Sequence, residues 1–289
     1  MLEDFPIIKI EKENFPPSLL EIPSPPKTLY TRGQLPHKDF KRLCVVGARK
    51  YTNYGKDVCE KLIEGLRGYP ISIVSGLALG IDSIAHESAL KAGLPNICVP
   101  GSGLGENVLY PKSNVGLARD ILKHGGCLLS EFEENFMPTP YSFPQRNRIM
   151  AGLSDAVLII EAEIKSGTLI TARLATDYNR DVLTVPGSIF SSTSEGPTML
   201  LRLGATPVAT SEDILEALGI EFEKEFKTKT LFPDLNDDEK SLVEILLVPQ
   251  TRDEVINELK WEPSKLGQIM TLLEIKGVIK ESGGKIYLC

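Results

Sequence analysis

The 289 residues carry 42% hydrophobic and 25% charged side chains, an ordinary balance for a globular protein and enough chain for one large α/β domain plus a small one. No apolar run approaches the ~18 residues that cross a bilayer, and residues 1–5 lack a basic stretch leading into an apolar one. No membrane partner and a cytoplasmic location are therefore expected. The net charge of −7 excludes a long basic track for nucleic acid and leaves room only for a local cluster of cations.

Residues 1–40 hold Pro6, Pro16, Pro17, Pro23, Pro25, Pro26 and Pro36 with short apolar pieces between them, and read as an extended lead-in packed on the main domain. From Leu43 the pattern becomes strand, glycine loop, helix, repeated. The first unit runs from Leu43–Val46 through Gly47-Ala-Arg49 to a helix over 53–66, with Arg49 either an exposed arginine or a ligand contact. In the second, Ile71–Val74 leads into Ser75-Gly-Leu-Ala-Leu-Gly-Ile-Asp82, where Gly76 and Gly80 permit a tight turn and Asp82 suits a helix start. His86, one turn on, reads as a packed or hydrogen-bonded helix residue.

In the third unit, Ile97–Val99 precedes Pro100-Gly-Ser-Gly103, and Tyr110-Pro-Lys-Ser-Asn114 leads into a helix to about residue 123. The spacing Gly101, Gly103, Gly105 is not GxGxxG, so a dinucleotide fingerprint is poorly supported. A short strand over 127–129 follows. The cysteines at 44, 98 and 127 fall in or beside strand-like runs, and Cys59 in a helical pattern. No CxxC or Cys/His ligand spacing occurs, so reduced buried thiols are expected and neither metal nor cofactor is.

The most informative stretch is Phe143-Pro-Gln-Arg-Asn-Arg-Ile-Met-Ala-Gly-Leu-Ser154. Pro144 suits the first turn of a helix, with Ser142 as its cap. Arg146 and Arg148, flanking Asn147 near that start, oppose the helix dipole. They suit bidentate phosphate contacts or, alternatively, a solvated face with ion pairs. The unalternating run 156–160 reads as a strand buried on both faces, followed by Lys165-Ser-Gly-Thr168 at a helix start, a setting that attracts phosphate but also fits an ordinary capped turn.

The series continues with a strand over 182–185, a loop over 186–196, a helix over 197–203, a strand over 206–209 and a helix over 212–218. Such repetition predicts an extended Rossmann-like, doubly wound, mostly parallel sheet over 41–220. Loops 47–49, 75–82, 101–103, 165–168 and 186–191 should then converge on one crevice that takes a phosphate-bearing ligand. Residues 221–235 read as a linker, and 236–289 as three helices and a hairpin around Gly283-Gly284, a winged-helix pattern. The ten acidic and seven basic side chains of 236–289 favour a protein-contact or regulatory role there.

With Val46-Gly-Ala-Arg49, the Ser75–Asp82 loop with His86, Tyr110-Pro111, the 143–154 motif, Ser166-Gly-Thr168, Thr171-Ala172 and Pro186-Gly-Ser188, residues 15–220 resemble the DNA-processing protein A family (DprA, or Smf). The tail resembles the winged-helix module that ends many members. The resemblance implies a homodimeric single-stranded DNA binder that protects incoming DNA and loads the RecA recombinase in natural transformation, without catalysis. Carried over, Arg49, Arg146 and Arg148 would meet phosphates, with Lys112 and Lys165 as further cations. Ser75, Gly76, Gly101, Ser102, Gly103, Asn147, Ser166, Gly167 and Thr168 would line the strand, and Phe143 would stack on a base or belong to the core. Met199, Leu203 and Val208 would form the dimer contact. The chain departs from the family pattern at Pro197-Thr198, where an asparagine is common. The competing reading is a Rossmann-like nucleotide or phosphoribosyl hydrolase, although the Pro-Gly-Gly loop and glutamate of such enzymes are missing.

Overall fold

A computed structural model describes residues 2–222, 235–246 and 250–288, in two units that divide between Phe222 and Glu223. The linker expected over 221–235 lies mostly outside the described residues.

In chain order the first unit contains β1 (Ile7–Ile10), α1 (Pro17–Leu20), β2 (Leu29–Gly33), β3 (Lys41–Val46), α2 (Asn53–Glu64), β4 (Ile71–Ser75), α3 (Ile81–Ala92) and β5 (Asn96–Cys98). Then come α4 (Val115–Lys123), β6 (Cys127–Ser130), α5 (Ser142–Leu153), β7 (Ala156–Ile159), α6 (Thr168–Asp177), β8 (Asp181–Thr184), α7 (Glu195–Arg202), β9 (Thr206–Pro207) and α8 (Ser211–Ala217). All nine strands join one sheet in the order β1-β2-β6-β5-β4-β3-β7-β8-β9. Every pairing from β6 to β9 is parallel, whereas β1 and β2 run antiparallel along one edge. The proline-rich lead-in thus does more than pack on the domain: it extends the sheet by two strands, with Tyr30 opposite Ser130.

The central strands lack alternation because both faces are covered. On β3, Leu43 and Val45 enter one core with Leu62 and Ile63 of α2, while Cys44 and Val46 enter the other with Ile149 and Leu153 of α5. From β3 the chain winds outward through β4, β5 and β6, then returns to β7 on the opposite side of β3. Connections leave β3 and β7 in opposite directions, and a crevice opens beyond their carboxyl ends.

The second unit contains α9 (Asp237–Ile245), α10 (Arg252–Leu259), α11 (Pro263–Ile275) and a hairpin of β10 (Ile279–Ser282) and β11 (Lys285–Leu288). Asn236 and Thr251 close reciprocal capping boxes on α9 and α10. Gly283 and Gly284 turn the hairpin with φ of 59° and 77°, the left-handed pair that a two-residue turn requires. Leu242, Val255, Leu266, Leu273 and Ile286 fill a separate small core.

Candidate nucleic-acid interface

The crevice at the β3/β7 switch point is open and holds about 720 Å³. Its walls are the loop 47–50, residues 163–168, the first turns of α5, and Ala78 and Asp82 from the β4–α3 connection. Arg49, Lys50 and Lys165 are exposed on these walls, and among the described residues none of them makes an ion pair. Glu163 is the exposed acid beside them. Above one wall, the Arg49 guanidinium carbon lies 5.6 Å from the centre of the half-buried Phe143 ring, and the exposed Tyr110 ring lies 5.9 Å from Phe143 at 54°. Behind Phe143 sits Gly101, where a Cβ would come within 2.6 Å of the ring. The result is a shelf of two aromatic rings and a guanidinium next to the exposed Lys50 and Lys165.

The floor beneath the crevice is a buried polar framework. Arg146 donates from Nη1 to the Gly76 carbonyl (2.6 Å) and to the Val99 carbonyl, and from Nε to Asn147 Oδ1 (3.1 Å). Asp82 accepts the Gly76 N–H at 3.1 Å; burial pushes its carboxyl above the usual range, and the nearby Arg146 charge pulls it back. Asn147 Nδ2 reaches the Gly167 carbonyl at 3.5 Å, and Thr168 Oγ1 donates to the Gly47 carbonyl at 3.0 Å, so the loops after β3 and β7 are tied to each other and to α5. Ser166 Oγ accepts the Thr168 N–H at 3.2 Å.

The residues expected to contact the strand are not all brought to the crevice. Arg146 lines the crevice with Nη1 held by the Gly76 and Val99 carbonyls and Nε by Asn147 Oδ1, so it organises the crevice. Arg148, two residues on, leaves α5 about 200° away and pairs with Glu131 while donating to the Ser24 carbonyl at 2.7 Å, outside the crevice. Ser75 is fully buried, its hydroxyl donating to the Val45 carbonyl at 2.7 Å. Ser102 is likewise fully buried, and the Gly103 N–H is taken by the Phe136 carbonyl at 3.0 Å. Gly76 gives its N–H to Asp82, and Gly101 accepts a 2.6 Å bond from Ser142 Oγ. Ser142 is therefore the first residue of α5, anchoring it to the β5 loop, not its cap. Lys112 donates to the Asn107 carbonyl at 2.5 Å and is not among the crevice walls.

Loop 186–191 also misses this crevice and lines a smaller cavity with Ile164 and Arg202. The expected dimer residues separate: Met199 and Leu203 border a groove of about 1170 Å³ beside α6, whereas Val208 is fully buried against the α8 core. Lys50, on the crevice wall, and the Tyr110 ring, against Phe143, are candidate contacts that motif spacing missed. Lys50 adjoins Arg49, and adjacency to a loop arginine was the available signal.

His86 is fully buried with Nδ1 2.8 Å from Asn96 Oδ1, and burial lowers its pKa to about 4. Among the described residues no cluster of three or more His, Cys, Asp or Glu side chains could hold a metal, and no helix is long and apolar enough to cross a membrane.

Comparison with known proteins agrees with this architecture. Protein Smf of Escherichia coli K12 is 41% identical over 212 residues, which is 73% of this chain and 56% of that protein, so the match spans little more than half of its length. The DNA processing protein DprA of Streptococcus pneumoniae R6 is 40% identical over 213 residues, 74% of each chain. Among solved structures, DprA from S. pneumoniae superposes with a TM-score of 0.68 at 38% identity, covering 77% of this chain and 76% of that one. DNA processing protein A from Helicobacter pylori, whose structure concerns its single-stranded DNA binding mode, superposes with a TM-score of 0.66 at 32% identity, covering 75% and 98%. The family model for DNA recombination-mediator protein A matches residues 6–219, and the chain belongs to that family.

Proposed function

We propose that this protein binds single-stranded DNA in the β3/β7 crevice and, as a homodimer, protects the strand and loads the RecA recombinase onto it in natural transformation and recombination. The observation that carries the reading is the presence of three exposed cations without ion pairs among the described residues, Arg49, Lys50 and Lys165, beside the Phe143–Tyr110 shelf. Cations without carboxylate partners present full charge to phosphate, and an exposed ring offers any unpaired base a stacking surface. A duplex hides its base faces, so the shelf selects single strands. The single-stranded DNA binding mode described for the H. pylori relative supports the same reading.

Binding without catalysis is also part of the proposal. Asp82 is the buried carboxylate on the crevice wall, and it is held by the Gly76 N–H and the Arg146 charge, leaving it to fix the loop. Met199 and Leu203, on a partly apolar groove at the β8–β9 end, are the proposed dimer contacts. The three helices and hairpin of the second unit are read as a winged helix that contacts protein, because its acidic balance opposes phosphate.

Filter-binding titration tests the main claim. Single strands should bind more tightly than duplex, with affinity falling as salt rises; equal affinity for both forms would overturn it. Release of free base from nucleoside monophosphates would favour the hydrolase instead.

A further inference from the structure

The loop after β8 carries a feature that the crevice does not use. Ser191 N–H bonds the Ser188 carbonyl at 3.0 Å, making a turn with Ile189 and Phe190 at its two central positions. Turn centres favour glycine, proline, asparagine or aspartate. Here Ile189 is 85% and Phe190 94% exposed, so two large apolar side chains stand in water with no core to serve.

Their position is fixed. Tyr54 Oη donates to the Pro186 carbonyl at 2.7 Å, and Ser188 Oγ accepts the Phe190 N–H at 3.2 Å. The buried Glu161 carboxylate accepts from Thr52 N–H (3.0 Å), Thr52 Oγ1 (2.5 Å) and Thr193 Oγ1 (3.0 Å), stapling the start of α2 to the far side of the same loop. Tyr51 and Tyr54 are both exposed; Tyr51 follows Lys50 of the crevice wall in sequence, and Tyr54 is the residue bonded to Pro186. On the other side, Ile164 borders the Ile189 cavity and is next in sequence to Lys165 of the crevice. Three exposed aromatic side chains, Tyr51, Tyr54 and Phe190, thus stand on the two segments, the start of α2 and the loop after β8, that the Tyr54–Pro186 bond joins next to the crevice wall.

Resting on the single-strand reading above, we infer that Phe190, with Tyr51 and Tyr54, is a second stacking platform, taking the unpaired bases of the strand where it leaves the crevice. Stacking suits this surface better than phosphate binding, because the Ile189 cavity offers Arg202 but also Glu195. Every base has a π-face, so the platform takes any sequence and adds affinity that salt does not weaken. It lengthens the footprint of the strand without enlarging the cationic cluster.

The test is a titration of the full chain with poly-dT oligonucleotides of increasing length at several salt concentrations. F190A should bind the shortest oligonucleotides as the parent protein does and the longer ones about fivefold or more weakly, with the salt slope unchanged. F190W in a W261F background should bind long strands normally and show its fluorescence quenched only by them; Trp261 is the chain's single tryptophan. Equal affinity of F190A and the parent at every length, or loss of self-association in place of DNA affinity, overturns the platform. Unchanged binding of the shortest strands by R49A/K165A would instead sink the crevice reading, so the two failures are distinguishable.

Discussion

Arg146 and Arg148 leave the same helix in opposite directions: one donates to the Gly76 and Val99 carbonyls inside the domain, the other pairs with Glu131 and the Ser24 carbonyl on a different face. R146A should therefore act first on stability. It leaves Asp82 buried without its compensating charge and strips two carbonyls of a donor, a loss of about 3–5 kcal/mol in chemical denaturation. R148A, which exposes Glu131 to the same problem at a more peripheral position, should cost about 1–3 kcal/mol. A loss within ~0.5 kcal/mol for R146A would mean that its guanidinium is free for a ligand after all.

R49A and K165A should show the complementary behaviour. Both side chains are exposed and make no ion pair among the described residues, so stability should stay within about 0.5 kcal/mol of the parent. Affinity for single strands should fall, and the slope of log K against log salt should flatten by about 0.7 for each phosphate contact removed. Slopes identical to the parent would take these residues out of the interface.

The contrast between these pairs shows where sequence reading stops. The buried runs of β3, β4, β7 and β8 were legible because strands covered on both faces show no alternation, and the glycine loops followed from the repeat. The lead-in strands were not: β1 and β2 are short and set among prolines, and they join the sheet only because β2 pairs antiparallel with β6 about a hundred residues away, with β1 paired on β2. The arginine motif announced a special helix, but residue type alone said nothing of direction. The 3.6-residue period already placed Arg146 and Arg148 on different faces, and only packing decided which one turned inward. Ser75 and Ser102 had the right chemistry, yet Ser75 donates to the Val45 carbonyl of β3 and Ser102 to the Gly103 carbonyl of its own loop.

Gly101 offers a test of the aromatic shelf that leaves every charge in place. A Cβ there would lie 2.6 Å from the Phe143 ring, well inside contact distance, so G101A must displace the ring and disturb its approach to Arg49 and Tyr110. Single-strand affinity should fall severalfold with the salt slope preserved, the opposite signature to R49A, because stacking and not ion release is lost. Unaltered affinity would show that Phe143 takes no part in binding.

His86 links the buried framework to pH. Its pKa falls from 6.5 to about 4 because burial disfavours the imidazolium, outweighing the Asn96 hydrogen bond. A folded value below the unfolded one means that the unfolded chain takes up the proton first. The stabilisation is complete above about pH 6.5 and drains away as pH falls toward 4, to a total of about 3 kcal/mol at 1.36 kcal/mol per unit. Asp82 works in the other direction: burial raises its carboxyl, so protonation favours the fold as pH falls toward its range. The wild-type curve alone mixes the two, whereas the difference between wild type and His86→Gln, which keeps a side-chain amide near Asn96, isolates the histidine. Denaturation midpoints across pH 4–7 should fall more steeply for the wild type; parallel curves would mean that His86 titrates freely in the folded protein.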